Sequence, residues 1–291
     1  MKKLIIMISL ISFLILSCQP QEKNTTKIEF VRNATMKIEY AGKTFLTDPM
    51  LADQAAYPGF LNNEVLANPT VGMPVDIDTL LKNVEFTLVT HTHIPEDSNM
   101  EGPSDHFDAK AVQVLDKDMP VYIQPFDEAG LKRKGFTNLQ PISSQIKIDN
   151  ITITRIIGVH ADVEFLLPIV GDSSAYVLEA EGEPTIFWTG DNLLTDDMKE
   201  AIKSFKPDIV IVHSGGASLP IDAEGNMAQL VMNAEDTIEI SKLVPNAKIV
   251  AIHMESLDHC PVTREELREK ALKAGIKERM IIPEDGQIIE F

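Results

Sequence analysis

Of the 291 residues only two are cysteine, Cys18 and Cys260, and one is tryptophan. A cysteine-stapled scaffold is therefore excluded, and stability has to come from a buried apolar core. Positive charge is scarce as well: 26 Lys plus Arg face 44 Asp plus Glu, a formal charge of -18 and a pI near 4.7. Nucleic acid and anionic lipid surfaces are held by clustered Lys and Arg, so electrostatic binding to either is disfavoured, and an anionic ligand would need a local attractor such as a metal. Fifteen Gly and 17 Pro are too few for low-complexity or collagen-like sequence, and 44% hydrophobic residues is a globular composition. No apolar run is long enough for a permanent transmembrane helix; the best, Leu4 to Leu16, falls short of the roughly 20 residues required.

That run has a different reading. Met1-Lys2-Lys3 followed by Leu4 to Leu16 has the charged start and apolar stretch of an export signal. It ends in Ile15-Leu16-Ser17-Cys18, which resembles the bacterial lipobox, so Cys18 is expected to be acylated and to become the new N-terminus. The expected organisation is a lipoprotein signal over 1–17, a polar tether over 18–26 and one compact domain over 27–291 in the bacterial cell envelope. The membrane is then touched only through the lipid, and Cys260 has no partner for an intrachain disulfide.

Three short alternating runs, Lys27 to Arg32, Thr35 to Tyr40 and Lys43 to Asp48, read as an antiparallel meander. Further strands are expected at Glu85 to Thr90, Val121 to Gln124, Ile146 to Ile156, Ala175 to Ala180, Thr185 to Thr189, Asp208 to His213, Lys248 to Ile252, Met280 to Ile282 and Gln287 to Phe291. Helices are expected at Ile77 to Lys82, Asp108 to Leu115, Phe126 to Lys134, Thr195 to Phe205, Ala234 to Val244 and Thr263 to Ala274, the last opened by a capping box in Thr263-Arg264-Glu265-Glu266. The alternation of the two periods indicates an α/β protein.

The histidines carry the functional signal. His91, His93, His106, His160 and His253 all fall at or just beyond the C-terminal end of an expected strand or in the loop after it, and such loops converge on one edge of a sheet. His91-Thr92-His93 is an i, i+2 pair in an extended segment, with both imidazoles on one side, a spacing that suits one metal ion. Asp105-His106 precedes a helix, Thr189-Gly190-Asp191 puts a carboxylate after a Gly turn, and Ala251-Ile252-His253 ends a strand in an imidazole.

With these motifs in order, together with Phe30 to Tyr40, Thr47-Asp48-Pro49 and Ile252-His253-Met254-Glu255, the chain resembles the metallo-β-lactamase-fold hydrolases, of the kind similar to ascorbate-6-phosphate lactonase and to N-acylphosphatidylethanolamine-hydrolysing phospholipase D. The resemblance implies an αββα four-layer sandwich with a dinuclear metal site at the edge of its two sheets. By motif, His91, His93 and His160 would hold one metal, Asp105, His106 and His253 the other, and Asp191 would bridge. Asp48, at the family's first acidic position, would orient a ligating histidine, with direct ligation as the alternative. One departure stands out. The family pattern HxHxDH has Asp two residues after the second His, and here Pro95 occupies that slot, with Ile94 to Ser104 intervening before Asp105-His106. The readings are a ten-residue loop insertion that keeps Asp105 and His106 in place, a ligand supplied instead by Glu96 or Asp97, or loss of the second metal position.

An imidazole and carboxylate set suits two divalent ions, Zn²⁺ first, with Mn²⁺ or Fe²⁺ as alternatives. Such ions would supply hydroxide at neutral pH without a Ser or Cys nucleophile. Asp191 would orient it, and Asp105 would accept and return the proton. His213, ahead of Ser214-Gly215-Gly216, is either a substrate contact or a structural histidine; the Gly pair could let backbone N–H groups approach an anion; His259 and Cys260 are expected in the pocket wall; Trp188 is read as core. Three functions follow: hydrolysis of a lactone, ester or amide of a small molecule, a phospholipase D-like phosphodiesterase, and a non-catalytic metal-binding lipoprotein.

Overall fold

The computed structural model describes residues 25–61, 67–94 and 104–291. The export signal, Cys18, residues 18–24 of the expected tether and, within the insertion, Glu96 and Asp97 lie outside the described residues.

The meander forms where the sequence alternates. Strands β1 (Lys27–Arg32), β2 (Thr35–Tyr40) and β3 (Lys43–Thr47) pair antiparallel, with turns at Asn33 and at Ala41-Gly42 that take positive φ. Strands β4 (Phe86–Leu88), β5 (Val121–Ile123) and β6 (Leu139–Pro141) extend the same sheet in parallel. A second sheet begins with β7 (Gln145–Ile148), β8 (Ile151–Ile157), β9 (Ser174–Glu179) and β10 (Ile186–Trp188), all antiparallel to their neighbours, and β11 (Ile209–His213) follows in parallel. A small hairpin of β12 (Ser218–Pro220) and β13 (Met227–Gln229) stands apart, β14 (Lys248–Ile252) and β15 (Met280–Ile281) complete the second sheet, and β16 (Ile288–Glu290) returns to pair with β1.

The helices are α1 (Ile77–Leu81), α2 (Ala109–Val114), α3 (Glu128–Arg133), α4 (Leu167–Val170), α5 (Asp196–Phe205), α6 (Ala234–Leu243) and α7 (Arg264–Lys273). The first three cover the outer face of the first sheet around Val31, Leu46, Phe107 and Leu131, and the last three cover the second around Phe187, Val210, Ala251 and Leu267. Between the sheets lies a third apolar layer, with Phe30, Phe45 and Phe86 facing Tyr176, Trp188, Ile211 and Val250. The period of two decides this sorting: in β11, Ile209 and Ile211 point between the sheets while Val210 and Val212 point to the helices. The arrangement is the expected αββα sandwich.

The differences in detail have local causes. Ile146 to Ile156 is a hairpin rather than one strand, because Asp149 takes φ +51 and lets the chain reverse. Strand β6, the β12–β13 hairpin and α4 went unpredicted; each is four residues or shorter, below the length at which a period shows. At α7 only half of the expected box forms: Thr263 Oγ1 accepts from the Glu266 N–H, while Glu266 turns to Lys270 at 3.5 Å. The reciprocal box sits at α6, between Asn233 and Asp236. No helix among the described residues is long and apolar enough to cross a membrane.

Candidate metal centre

The parallel strands deliver their C-terminal ends to one edge of the sandwich, and the chemistry-bearing residues follow them. Leu88 of β4 leads to His91 and His93, Trp188 of β10 to Asp191, β11 ends in His213, and β14 leads to His253. Asp48, His93 and His253 all adopt positive φ, a conformation costing about 1–3 kcal/mol that surrounding contacts must hold. Asn33 is one such holder: its carbonyl accepts the His253 N–H at 2.9 Å and its Nδ2 donates to the Asp105 carbonyl at 3.1 Å. Gly190 is required where it stands, since at φ +59 a Cβ would lie 2.3 Å from the Ser174 carbonyl oxygen.

The structure brings together all seven residues expected as ligands, in two groups. His91, His93 and His160 form one, and Asp105, His106, Asp191 and His253 the other; within each group one donor atom per residue lies within 4.8 Å of the others. The insertion returns the chain to the site: Ser104 Oγ donates to the Thr92 carbonyl at 2.5 Å and accepts from the Phe107 N–H at 3.0 Å, leaving Asp105 and His106 inside the cluster. Asp108 then caps α2 through the Ala111 N–H and fastens the Ala52 N–H with its other oxygen.

Hydrogen bonds fix how the rings present themselves. Asp48, an acceptor only, takes the Thr90 N–H, the Thr90 hydroxyl and His106 Nδ1, each at 2.7 Å. His106 therefore donates from Nδ1 and points Nε2 toward Asp105 at 3.4 Å and Asp191 at 3.1 Å. Because the Thr90 hydroxyl is committed to Asp48, its oxygen accepts from His91 Nδ1 at 3.1 Å, and His91 Nε2 faces His93 Nε2 at 2.7 Å. His160 Nδ1 donates to the Leu230 carbonyl at 3.1 Å. His253 Nε2 is buried with no hydrogen-bond partner, 3.3 Å from Asp105 and 3.4 Å from Asp191. Imidazole Nε2 atoms converging on carboxylates, with one buried nitrogen lacking a partner, suit a divalent cation.

The electrostatics divide the histidines: without a cation, His106 and His253 carry on Nε2 the proton that a metal would displace. Burial lowers His91, His93 and His160, the last to about 4, so these rings are neutral and free to ligate. Burial also opposes charge on His106 and His253, yet the neighbouring carboxylates, Asp105 foremost for His106 and Asp191 for His253, outweigh it and hold both well above the usual histidine range. Asp105 and Asp191 are correspondingly held well below the usual carboxylate range by those imidazoles, against burial.

The remaining expectations divide. Asp48 supports a histidine, as its position implied. His213 is wholly buried, between Trp188 Nε1 at 2.8 Å and Asp191 Oδ1 at 2.5 Å, so it touches no substrate. His259 packs its ring on Phe60 at 4.5 Å and stands beside the cluster, while Cys260 Sγ lies 3.6 Å from His253 Nδ1, a buried thiol pushed up by burial. The Gly215-Gly216 pair does not offer an anion cradle: the Gly216 N–H is taken by the Met232 carbonyl, and a Cβ on Gly215 would strike the His253 carbonyl at 2.0 Å. The supports that sequence reading missed, Asn33, Thr90, Ser104 and the Leu230 carbonyl, are common residues in loops; only their nearness to His91, Asp105 and His160 in the fold gives them a role.

Comparison with known proteins agrees with this geometry. A model of the beta-lactamase superfamily domain matches residues 27–255. The UPF0173 protein YddR of Bacillus subtilis is 33% identical over 90% of this chain and 98% of its own length. Two solved structures superpose over 91% of this chain and 99% of theirs: an isothiocyanate hydrolase from Delia radicum gut bacteria, 36% identical with a TM-score of 0.81, and a possible metal-dependent hydrolase from Veillonella parvula, 31% identical with a TM-score of 0.82. The chain belongs to the beta-lactamase superfamily domain family and, within it, to the UPF0173 metal-dependent hydrolases.

Proposed function

We propose that the protein hydrolyses a small, uncharged molecule at an electrophilic carbon, an isothiocyanate in the first place, using two divalent cations. His91, His93 and His160 would hold one cation and Asp105, His106 and His253 the other, with Asp191 shared and Zn²⁺ the best match to the ligands. When bound, such cations lower the pKa of water to about 7 and polarise the group under attack. Asp105 takes the proton of the attacking water and returns it to the leaving nitrogen. Addition of water across the isothiocyanate carbon–nitrogen bond and breakdown of the resulting thiocarbamic acid releases the amine and carbonyl sulfide, so atoms balance without a further reactant. A lactone, ester or amide carbonyl, the target implied by the likeness to ascorbate-6-phosphate lactonase, presents the same kind of carbon.

The observation that carries an uncharged substrate is the surface beside the site. Of nine large hydrophobic side chains exposed among the described residues, six lie on Phe126 and the segment from Ile157 to Ile169, with Phe165 58% and Ile169 72% exposed. Both stretches adjoin the ligands: Val159 precedes His160, the Val170 backbone lies beside His93, and Phe126 lies against Gly171. Ile157 to Gly171 contains no Lys or Arg, so the wall suits an apolar substituent and offers nothing to a phosphodiester. The 36% identity to an isothiocyanate hydrolase supports the same choice. The test is elemental analysis of the purified domain followed by turnover of phenyl isothiocyanate, a γ-lactone and bis-p-nitrophenyl phosphate. About two equivalents of metal, with hydrolysis of the isothiocyanate and none of the phosphodiester, is expected; preference for the phosphodiester would overturn the reading.

We also propose that the protein works at the cell envelope, anchored through Cys18. The support is the sequence alone, a charged start and apolar run ending in Leu16-Ser17-Cys18.

A further inference from the structure

His213 differs from the other histidines of the site in what its Nε2 does. Trp188 Nε1 lies 2.8 Å from His213 Nε2, and an indole N–H can only donate. That nitrogen of His213 must therefore carry the lone pair. The ring's single proton is then on Nδ1, 2.5 Å from Asp191 Oδ1, an acceptor. A second proton would have to sit on Nε2, donor against donor, with both side chains buried. The neighbouring strands hold the pair: Trp188 sits opposite Ile211 in the parallel β10–β11 register, and the His213 N–H is bound to Thr189 Oγ1 at 3.2 Å. Asp191 Oδ1 is thus occupied, and Oδ2 is the oxygen left facing His106 Nε2 at 3.1 Å and His253 Nε2 at 3.4 Å.

We propose that Trp188 and His213 are positioning residues: the indole N–H fixes His213 as the neutral Nδ1–H tautomer, and His213 pins Asp191 so that a single carboxylate oxygen serves the metal centre. The inference rests on the metal reading above, but its first part is testable without metal. Both residues act through Asp191 and neither touches substrate.

The experiment has two arms. Two-bond ¹H–¹⁵N correlation spectra of the imidazoles in the metal-free wild-type protein should show His213 as the Nδ1–H tautomer, and Trp188→Phe, which keeps the ring and deletes the donor, should release it into a mixture. In parallel, Zn²⁺ affinity is measured by chelator competition for wild type, Trp188→Phe, His213→Gln and His213→Leu, each checked for folding by circular dichroism. The Gln amide can accept from Trp188 and donate to Asp191, so His213→Gln should stay within about 3-fold of wild type, while Trp188→Phe falls about 10-fold and His213→Leu roughly 10–100-fold. An Nε2–H tautomer in the wild type overturns the proposal, and so does a folded His213→Gln as weak as His213→Leu. Wild-type protein that binds no Zn²⁺ would sink the metal reading instead, and the tautomer spectrum would still decide the relay.

Discussion

Replacing Asp48 by Asn changes one oxygen to an amide nitrogen at a position with no spare room. Both Asp48 and His106 are fully buried, and the carboxylate accepts three hydrogen bonds of 2.7 Å, two from Thr90 and one from His106 Nδ1. In the Asn variant the amide oxygen can keep the Thr90 N–H, but the NH₂ then faces the His106 donor. Breaking a buried charged pair from one side costs about 3–5 kcal/mol. For a domain of this size each kcal/mol lowers the melting temperature by roughly 2–4 °C, so EDTA-treated Asp48→Asn should melt about 10 °C below wild type. A neutral His106, as a metal ligand must be, could escape the clash only by moving its proton to Nε2, the nitrogen that faces Asp105 and Asp191 and would hold the cation. Zn²⁺ affinity should therefore fall by about 10–100-fold in chelator competition. Calorimetric melting and the competition assay read the two effects separately. A variant melting within about 2 °C of wild type with unchanged affinity would refute the assignment of Asp48 as the support of His106.

Three other outcomes follow from the same geometry. In metal-free protein, His91, His93, His160 and His213 have lowered values, so below the unfolded value of about 6.5 stability should rise with pH, whereas His106 and His253 have raised values, so stability should fall as pH climbs above about 6.5; melting curves of EDTA-treated protein should peak near there, and a steady rise to pH 9 would contradict the assignment. Gly190→Ala should cost about 3 kcal/mol or more, combining positive φ with the approach to the Ser174 carbonyl, while Gly182→Ala, at φ +82 with nothing within 4 Å, should cost only about 1 kcal/mol in denaturant titrations. Cys18→Ala should move the protein from the membrane fraction to the soluble fraction and abolish incorporation of labelled palmitate; unchanged membrane association would remove the lipid-anchor reading.

How much was legible in the sequence depended on the range of the interaction. The alternation of apolar residues in β1 to β3 and the apolar runs of β11 and β14 are local properties of a pleated chain, enough to place the strands, while the layers came from the family resemblance. His91-Thr92-His93, Asp191 after Gly190 and His253 after Ile252 were readable because each sits where a strand stops, and parallel strands stop at the same edge. The insertion between His93 and Asp105 broke the local pattern, and long-range bonds, from Ser104 to Thr92 and from Asn33 to Asp105, bring the chain back into the cluster. The same holds for the tautomers. Asp48 and His106 are 58 residues apart, Trp188 and His213 are 25 apart, and His160 and Leu230 are 70 apart. A hydrogen bond is a condition on distance and direction in space, so a sequence can name the donors and acceptors, while only the packed sheets decide which nitrogen holds the proton and which lone pair faces the centre.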